Sequence, residues 1–256
     1  MSSYLITGGS AGIGFAIAQR LGRNGHEVVL AARTAQRLDR AAEELRAEGI
    51  TVRTAVLDVR HPEAVADLID GLPRIDGLVN NAAGNFACPT VDLSPGGFRA
   101  VVEISLYGTF YASQALARRL IREGRPGAIV NIVATYAWTG APAVAHSAAA
   151  KGGMVAFTKS VAREWGPYGI RVNALAPGFV PTESATANIL SDEGAQQRMR
   201  DAIPLGRFAE AEEIADAAAH LLTAGYTTGA VLTVDGGRSL GAAMHAAAPS
   251  PQGATR

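Results

Sequence analysis

Short apolar segments alternate with helical patterns along almost the whole chain of 256 residues. In the helical patterns, apolar side chains recur every three or four residues, as Ile13, Ile17 and Leu21 do. This alternation predicts an α/β fold, in which parallel strands form one sheet and right-handed crossovers place helices on both faces. The sequence shows no internal repeat and no linker rich in proline or serine, so we expect a single domain. The predicted strands span residues 4–7, 27–32, 51–57, 77–79, 128–133, 171–175 and 230–234.

Two segments interrupt the alternation. Residues 183–204 carry a polar, weakly helical sequence between a predicted strand and Leu205, which is long for such a connection. Insertions at the carboxyl edge of a sheet commonly close over a bound substrate, so we expect a lid here. Residues 241–256 are rich in alanine, glycine and proline and have no periodicity. They predict a flexible tail that follows a domain spanning residues 1–240.

The charge balance and the cysteine count argue against several classes of function. The chain has 23 basic and 23 acidic residues, whereas nucleic acids and anionic membranes attract clustered positive charge. The single cysteine, Cys88, excludes an internal disulfide, and the five scattered histidines have no metal-ligand spacing. No apolar run approaches the roughly 18 residues that span a bilayer. We therefore expect a cytoplasmic protein with no nucleic-acid, membrane or metal partner.

A glycine-rich segment at residues 8–14 lies between the first predicted strand and the first predicted helix. Glycines let the backbone turn sharply and approach a pyrophosphate, and the start of the helix presents unpaired N–H groups to it. Its position makes the motif specific, since the same glycines elsewhere would mark only a tight turn. The segment predicts a dinucleotide site that includes Gly8, Ser10, Gly12, Ile13 and Gly14.

The end of the second predicted strand indicates which dinucleotide is bound. Sites that prefer NAD place an acidic residue there, which binds the ribose 2′-hydroxyl. Here Arg33 follows the strand, and its planar cation suits a 2′-phosphate. We therefore predict NADP(H), the alternative being that Arg33 is a solvated surface residue. Asp58, which closes the third predicted strand, is expected either to contact the adenine or to cap the helix that begins near Pro62.

Further motifs follow in a fixed order, namely Asn80-Asn81-Ala82-Ala83-Gly84, Ile170-Arg171-Val172-Asn173, Pro177-Gly178 and Asp235-Gly236-Gly237. With these motifs and the glycine-rich segment, the chain resembles the short-chain dehydrogenase/reductase family over residues 1–240. The resemblance implies a Rossmann-type doubly wound sheet of seven parallel strands, a homotetramer, and a nicotinamide placed near Pro177 and Gly178. It also implies cofactor contacts at other positions, among which Thr182 matches the usual carboxamide contact. These positions are Asn81, Ala82, Lys151, Val180 and Thr182.

The chain departs from the catalytic signature of that family. The signature has a tyrosine four residues before a lysine on one helix, where the ammonium lowers the pKa of the phenol, and a serine at the end of the fifth strand. Lys151 is present, but Ser147 stands in the place of the tyrosine and Ala134 in the place of the serine. Ser105 holds a position at which many members carry asparagine. Because a serine hydroxyl is not an acid near neutral pH, these residues do not predict ordinary interconversion of ketone and alcohol.

Two other polar residues form a candidate catalytic site at the same edge of the sheet. Tyr136 follows the fifth predicted strand and Asn85 follows the fourth. Together with Ser147 and Lys151, they resemble the pattern of the NADPH-dependent 2,4-dienoyl-CoA reductases, and the segment before Lys151 is similar to that of trans-2-enoyl-CoA reductases. The resemblance implies catalytic roles for these four residues. Otherwise Tyr136 is a packed loop aromatic and Asn85 is a turn residue.

These residue types suit the reduction of a conjugated C=C bond in an unsaturated acyl thioester. Hydride addition moves negative charge onto the thioester oxygen, where neutral donors from Tyr136 and Asn85 would stabilise an enolate or dienolate. Lys151 would hold the cofactor ribose, and Ser147 would add a supporting hydrogen bond. Two alternatives stay open at this point. One is a ketone or imine reductase with Tyr136 as the proton donor, and the other is a non-catalytic NADP-binding protein.

Overall fold

Seven parallel strands form one sheet in the order β3-β2-β1-β4-β5-β6-β7. The computed structural model describes residues 1–182 and 193–241. The strand order reverses direction between β1 and β4, and ligands of open α/β sheets bind at such a point, outside the carboxyl ends of the strands. The sheet confirms the predicted Rossmann-type fold. The strands are β1 Ser3–Thr7, β2 Glu27–Ala32, β3 Val52–Val56, β4 Gly77–Asn80, β5 Gly127–Ile132, β6 Ile170–Pro177 and β7 Val231–Val234.

Helices cover both faces of the sheet. Side chains of α1, α2 and α9 pack on one face, and those of α3, α5 and α7 pack on the other. The central strands are therefore buried on both sides, which explains their nearly continuous apolar sequence. The helices are α1 Gly12–Arg23, α2 Ala35–Ala47, α3 Pro62–Gly71, α4 Pro95–Val102, α5 Gly108–Glu123, α6 Tyr136–Thr139, α7 Ala145–Trp165, α8 Glu193–Asp201 and α9 Ala211–Thr223.

A network of buried polar side chains fixes the middle of the sheet against the helices. The Asn80 Nδ2 atom donates to Ser113 Oγ at 2.9 Å and to Asn131 Oδ1 at 2.8 Å. The Asn131 Nδ2 atom in turn donates to Thr158 Oγ1 at 2.8 Å. Buried amides that find partners on neighbouring elements lock those elements in register, because any slip leaves a polar group unpaired. The network therefore holds β4, β5, α5 and α7 together directly beneath the candidate site.

The predicted strand bounds agree with the structure to within two residues, but one helix differs. The periodicity predicts an uninterrupted helix over residues 98–123, whereas the structure has a π-helical segment, Glu103–Tyr107, between α4 and α5. A π-helical turn adds one residue per turn, which leaves the apolar pattern on either side almost unchanged. Ser105 lies in this segment. The interruption is therefore invisible to sequence periodicity.

The predicted lid and tail fall mostly on residues about which the structure says nothing. Residues 183–192 and 242–256 lie outside the described residues, while helix α8 occupies part of the predicted lid range. Within residues 1–182 and 193–241, no helix is long and apolar enough to cross a membrane. In the same described ranges, no three histidine, cysteine or acidic side chains lie close enough together to hold a metal ion.

Candidate active site

The glycine-rich loop connects β1 to α1 at the centre of the carboxyl edge of the sheet. Gly8 and Gly12 adopt left-handed backbone conformations, with φ of +64° and +55°. At Gly14 a Cβ atom would lie 2.4 Å from the Gly8 carbonyl oxygen, so no side chain fits there. Helix α1 begins at Gly12 without a side-chain cap and without an acidic residue in its first turn, and Ile13 packs against the core. The loop therefore leaves the first N–H groups of the helix available to a phosphate.

Asn81 fastens this loop from the neighbouring strand β4. Its side-chain amide donates to the carbonyl oxygens of Thr7 and Gly8, both at 3.1 Å. The backbone N–H groups of Asn81 and Ala82 both donate to Thr7 Oγ1 at 3.0 Å. The amide of Asn81 is thus engaged within the protein, so the structure assigns it to shaping the loop that approaches the cofactor. Ala82 lies beside it at the same edge.

Two residues predicted to contact the adenosine half are found at the ends of β2 and β3. Arg33 is exposed immediately after β2. Asp58 accepts hydrogen bonds from its neighbour Arg60 at 2.6 to 3.1 Å, and these lower the pKa of its carboxyl to about 2. Helix α3 has no side-chain cap, so the alternative prediction that Asp58 caps it is wrong. The adenine contact stays a prediction.

A groove beside the loop contains basic residues that the sequence analysis did not identify. It is lined by Ser10 and Ala11 of the loop and by Arg37 and Arg40 of α2. Arg33 lies just before α2, so three arginines are found near the adenosine end, where they could pair with a phosphate on the ribose. The spacing of four residues between Arg33 and Arg37 is visible in the sequence and could have revealed the second cation. These residues and the tight loop fit a phosphorylated dinucleotide, NADP(H).

The nicotinamide end follows β6. Pro177 closes that strand opposite Val234, and the Gly178 N–H donates to the Val234 carbonyl at 2.8 Å. A Cβ atom on Gly178 would lie 2.8 Å from Asp235 Cα, so the residue must be glycine for the strands to approach. Val180 is buried, and a Cβ atom on Gly12 would lie 2.9 Å from Thr182 Cγ2. Residues 178–182, which follow β6, therefore run from the nicotinamide end back to the glycine-rich loop.

Lys151 lies on α7, one helical turn after Ser147, and is almost completely buried, with 5% of its surface exposed. Its Nζ atom donates to the Ile132 carbonyl oxygen at the end of β5, at 2.7 Å. Burial lowers the pKa of Lys151 from 10.5 to about 8, because an ammonium is poorly stabilised away from water. The Lys151 side chain is thus mainly protonated at pH 7, but its pKa is only slightly above that pH.

Tyr136 begins α6, and its hydroxyl lies 3.1 Å from Ser147 Oγ. Either oxygen can donate in this pair, and Ser147 is buried. Burial raises the pKa of Tyr136 above its usual value of 10, and the hydrogen bond to Ser147 only partly opposes this. The phenol therefore stays protonated at neutral pH and can donate a hydrogen bond. The structure brings together three of the four residues expected to be catalytic: Tyr136, Ser147 and Lys151.

Asn85 lies in the exposed loop after β4 and does not hydrogen bond to the other three residues. Its Oδ1 atom accepts the backbone N–H of Phe86 at 3.0 Å, as a turn residue would. The same bond fixes the orientation of the amide and leaves its Nδ2 hydrogens as donors. The ring of Phe86 packs on the buried ring of His146, the residue before Ser147, with 4.6 Å between ring centroids. His146 belongs to the segment before Lys151 that resembles the trans-2-enoyl-CoA reductases, but that resemblance implied no role for it.

Besides Ser147, two further positions that depart from the family pattern contain small residues. Ala134 follows β5 and carries no polar group. Ser105 is fully buried in the π-helical segment, which packs against α7, and its hydroxyl has no hydrogen-bond partner among the described residues. Neither residue is placed to act as a proton donor, so Tyr136, Ser147, Lys151 and Asn85 remain the candidate catalytic residues.

Comparison with known proteins gives consistent matches over nearly the full length. A family model described as Enoyl-(Acyl carrier protein) reductase matches residues 8–239. A probable 2,4-dienoyl-CoA reductase of Bacillus subtilis is 42% identical, over 93% of this chain and 96% of its own length. The crystal structure of a short chain dehydrogenase from Bacillus anthracis is 42% identical, covers 93% of this chain and 96% of its own, and has a TM-score of 0.83. A gluconate 5-dehydrogenase of Burkholderia cenocepacia, in complex with NADP and tartrate, is 32% identical over 94% and 96% of the chains, with a TM-score of 0.89.

Proposed function

The chain belongs to the short-chain dehydrogenase/reductase family, and from that premise we propose that it is an NADPH-dependent reductase of conjugated C=C bonds in unsaturated acyl thioesters. The substrate would be a 2,4-dienoyl or 2-enoyl thioester. Support comes from the 42% identical probable 2,4-dienoyl-CoA reductase of Bacillus subtilis. NADP(H) is supported by the basic residues around the adenosine end and by the bound NADP of the gluconate 5-dehydrogenase relative.

One observation carries the proposal: the phenol of Tyr136 lies 3.1 Å from Ser147 Oγ. Ser147 occupies the position, four residues before Lys151, at which the family signature has a tyrosine. A phenol therefore comes to this point from α6 instead of α7. The partner of this phenol is Ser147, while the Lys151 ammonium donates to the Ile132 carbonyl. A phenol with a raised pKa is a poor acid but a good neutral donor, which suits an oxyanion hole better than proton transfer to an alkoxide.

The remaining steps follow from what each side chain can do. When bound, NADPH supplies a hydride, which adds to the far carbon of the conjugated system. The electron pair of the C=C bond then moves onto the thioester oxygen, where the Tyr136 hydroxyl and the Asn85 Nδ2 hydrogens would stabilise the charge. Water returns a proton to carbon, which completes the reduction. Lys151 would hold the ribose and Ser147 would orient the phenol through its hydrogen bond.

A second candidate is reduction of a ketone in a polar substrate such as a sugar acid. The gluconate 5-dehydrogenase relative favours it, because that protein is 32% identical and has a TM-score of 0.89. In that reaction Tyr136 would give its proton to an alkoxide, and burial would oppose this because it raises the pKa of Tyr136. Imine reduction would place the same demand on Tyr136. A non-catalytic NADP-binding role would account for Lys151, which would hold the ribose, but it would leave the pairing of Tyr136 with Ser147 without a purpose.

Oxidation of NADPH at 340 nm, measured with a panel of substrates, separates these candidates. The panel contains a 2,4-dienoyl-CoA, a 2-enoyl-CoA, a 3-ketoacyl-CoA, 5-ketogluconate and a cyclic imine, each tested with NADPH and with NADH. We expect turnover of the dienoyl or enoyl thioester with NADPH, and mass spectrometry should find the product two hydrogens heavier. Faster turnover of 5-ketogluconate or the imine would contradict the proposal, and turnover of nothing would favour the binding role.

The proposal extends to the surroundings of the site. We expect a homotetramer in the cytoplasm. The exposed aromatic side chains of Phe98, Tyr107 and Phe110, along α4, the π-helical segment and α5, offer a surface for a second copy. Light scattering after size-exclusion chromatography would measure the assembly. We also expect residues 183–204 to close over the acyl chain as a lid. Limited proteolysis within this range should slow when NADPH and product are both present.

A further inference from the structure

We propose that His146 is a positioning residue that holds the Asn85 loop, residues 81–94, over the carboxyl edge of the sheet. This inference rests on the proposed function, because it concerns the donor that Asn85 would present to the thioester oxygen. His146 itself would not touch substrate or cofactor. It would act through the ring of Phe86, on which it packs.

The burial of His146 is unusual for a polar side chain. None of its surface is exposed, and neither ring nitrogen has a hydrogen-bond partner within residues 1–182 and 193–241. Burial lowers the pKa of His146, which outweighs the opposite effect of the nearby Phe86 backbone, so the ring is neutral at pH 7. Burying an imidazole without partners costs free energy. The ring therefore has to contribute by its shape and its contacts.

The main contact of the ring leads to Asn85. The centroids of the His146 and Phe86 rings lie 4.6 Å apart, with 38° between their planes. The backbone N–H of Phe86 donates to Asn85 Oδ1 at 3.0 Å. Asn85 is exposed and Phe86 is 40% exposed. Besides His146, the Phe86 ring lies against α4, where a Cβ atom on Gly97 would be 3.1 Å from Phe86 Cζ. His146 is thus one of two supports of the ring whose position would decide where the Asn85 Nδ2 hydrogens are presented.

A second contact ties the same loop to the segment before α7. The Cys88 N–H donates to the Ala143 carbonyl oxygen at 2.8 Å. Ala143 has φ of +60°, and among the described residues it is the one non-glycine residue with a positive φ. A left-handed conformation costs an alanine free energy, and such strain persists where surrounding contacts enforce it. The loop is thus held at two points, Phe86 and Cys88. Their partners, His146 and Ala143, lie three residues apart in the sequence.

The first turn of α7 consequently supports both proposed donors. His146 contacts the loop that carries Asn85, and its neighbour Ser147 hydrogen bonds to Tyr136. Neighbouring residues of one helix cannot move independently, so the two donors keep a fixed separation. Both donors lie outside long helices, Asn85 on a loop and Tyr136 on the short helix α6. The rigid helix α7 would nevertheless fix their positions and so form the oxyanion hole.

The test compares His146→Ala with His146→Phe. The alanine variant removes the ring, and we expect kcat for the dienoyl thioester to fall by roughly 10- to 100-fold, since small displacements of a positioned group cost about that much. The phenylalanine variant keeps an aromatic ring in a site where no nitrogen is bonded, and we expect it to restore kcat to within about threefold. The Kd of NADPH should change less than twofold in either variant, because the cofactor end is untouched.

His26→Ala is the matched control. His26 also packs on an aromatic ring, Tyr4 at 5.2 Å, and burial also lowers its pKa, but it precedes β2 at the opposite edge of the sheet. The His26→Ala variant should leave kcat unchanged even if it lowers the melting temperature. In an Asn85→Ala background, His146→Ala should cost no further kcat, because a residue that acts through Asn85 has nothing left to position.

Hydrogen exchange provides a readout that does not depend on activity. The amides of Phe86 and Cys88 should exchange faster in His146→Ala and at the wild-type rate in His146→Phe. Unchanged exchange and unchanged kcat in the alanine variant would overturn the inference. Loss of kcat in the phenylalanine variant with normal exchange would also overturn it, since the nitrogen atoms would then act directly. If the wild-type protein reduces no acyl thioester, the proposed function fails, and the exchange data still decide whether His146 holds the loop.

Discussion

The cofactor end and the substrate end of the site are built in different ways. At the cofactor end, backbone atoms make the close contacts, as where a Cβ atom on Gly14 would lie 2.4 Å from the Gly8 carbonyl oxygen. The Asn81 amide then locks that backbone in place. At the substrate end, side chains meet side chains. Tyr136 pairs with Ser147 across eleven residues of sequence.

The difference explains how one fold can carry different chemistry. A site made of backbone is changed by almost any added atom, so its sequence pattern is restricted and its ligand stays the same. A site made of side chains can exchange its groups while the backbone stays in place. Here the phenol enters from α6, and the position that the family signature gives to it is filled by Ser147. The groups that act on the substrate can therefore change while the cofactor site stays the same.

The largest effect should come from adding one methyl group at the cofactor end. Gly14→Ala would force the new Cβ against Gly8 and Asn81, at 2.4 and 2.5 Å. Overpacking of this kind costs roughly 3 kcal/mol, so we expect NADPH affinity to fall by about a hundredfold. Fluorescence titration with NADPH measures it. Gly71→Ala is the control, because no atom lies within 4 Å of a Cβ there, and it should bind NADPH normally. Normal binding by Gly14→Ala would show that the loop is not rigid.

Arg33→Ala should affect only the 2′-phosphate. Removing a charge-assisted contact costs roughly 1.5–3 kcal/mol, so NADPH should bind at least about tenfold more weakly while NADH binds almost as before. Arg23→Ala, which removes an exposed arginine at the far end of α1, should change neither affinity. Equal losses of affinity for NADPH and NADH would contradict the assignment of Arg33 to the 2′-phosphate. A small loss of NADPH affinity would indicate that Arg37 of the groove binds the phosphate instead.

The pH dependence of cofactor binding should report on Lys151. Its ammonium loses a proton as the pH rises through about 8, so NADPH affinity should fall by up to about tenfold between pH 7 and 9. The pKa of Lys151 is lower when folded than when unfolded, so the unfolded chain holds more protons between pH 8 and 10.5. The contribution of Lys151 to the unfolding free energy should therefore rise with pH in that window.

Lys151→Met serves as the reference for both measurements. Its NADPH affinity should be low and nearly independent of pH between 7 and 9. The difference in unfolding free energy between wild type and variant, from urea titrations at each pH, should grow in favour of the wild type from pH 8 to 10. A constant difference would mean that the pKa of Lys151 is not lowered in solution.

The smallest effect is expected at Ser105, where the family often carries an asparagine. Its buried hydroxyl has no partner among the described residues, so Ser105→Ala should keep kcat within about twofold and should not lower the unfolding free energy. Ser113→Ala is the contrast, because Ser113 accepts a hydrogen bond from Asn80 and its loss should cost about 1–3 kcal/mol. Equal destabilisation by the two substitutions would indicate that Ser105 has a partner in solution.

The same contrast separates what the sequence could predict from what it could not. The strands, the glycine-rich loop and the position of Arg33 follow from local patterns, because apolar periodicity and glycine geometry are local properties. The alternative that Asp58 caps the helix after β3 was wrong, because its carboxylate accepts from Arg60, two residues away, while its adenine contact stays a prediction. The ring contact between Phe86 and His146 spans sixty residues, and no pattern in one sequence encodes it. The π-helical segment around Ser105 was missed because it preserves the apolar pattern on either side.

The central claim is that Tyr136 has taken over the donor role at the position of Ser147. The direct measurement is kcat for a 2,4-dienoyl-CoA with NADPH, in Tyr136→Phe and in Ser147→Ala. We expect Tyr136→Phe to lower kcat by about 10²–10³, as loss of an oxyanion donor does, with the Kd of NADPH unchanged. Ser147→Ala should be milder, because it removes only a supporting bond. If Tyr136→Phe keeps nearly full kcat while Ser147→Ala abolishes it, Tyr136 is a packed aromatic and the account of the site is wrong.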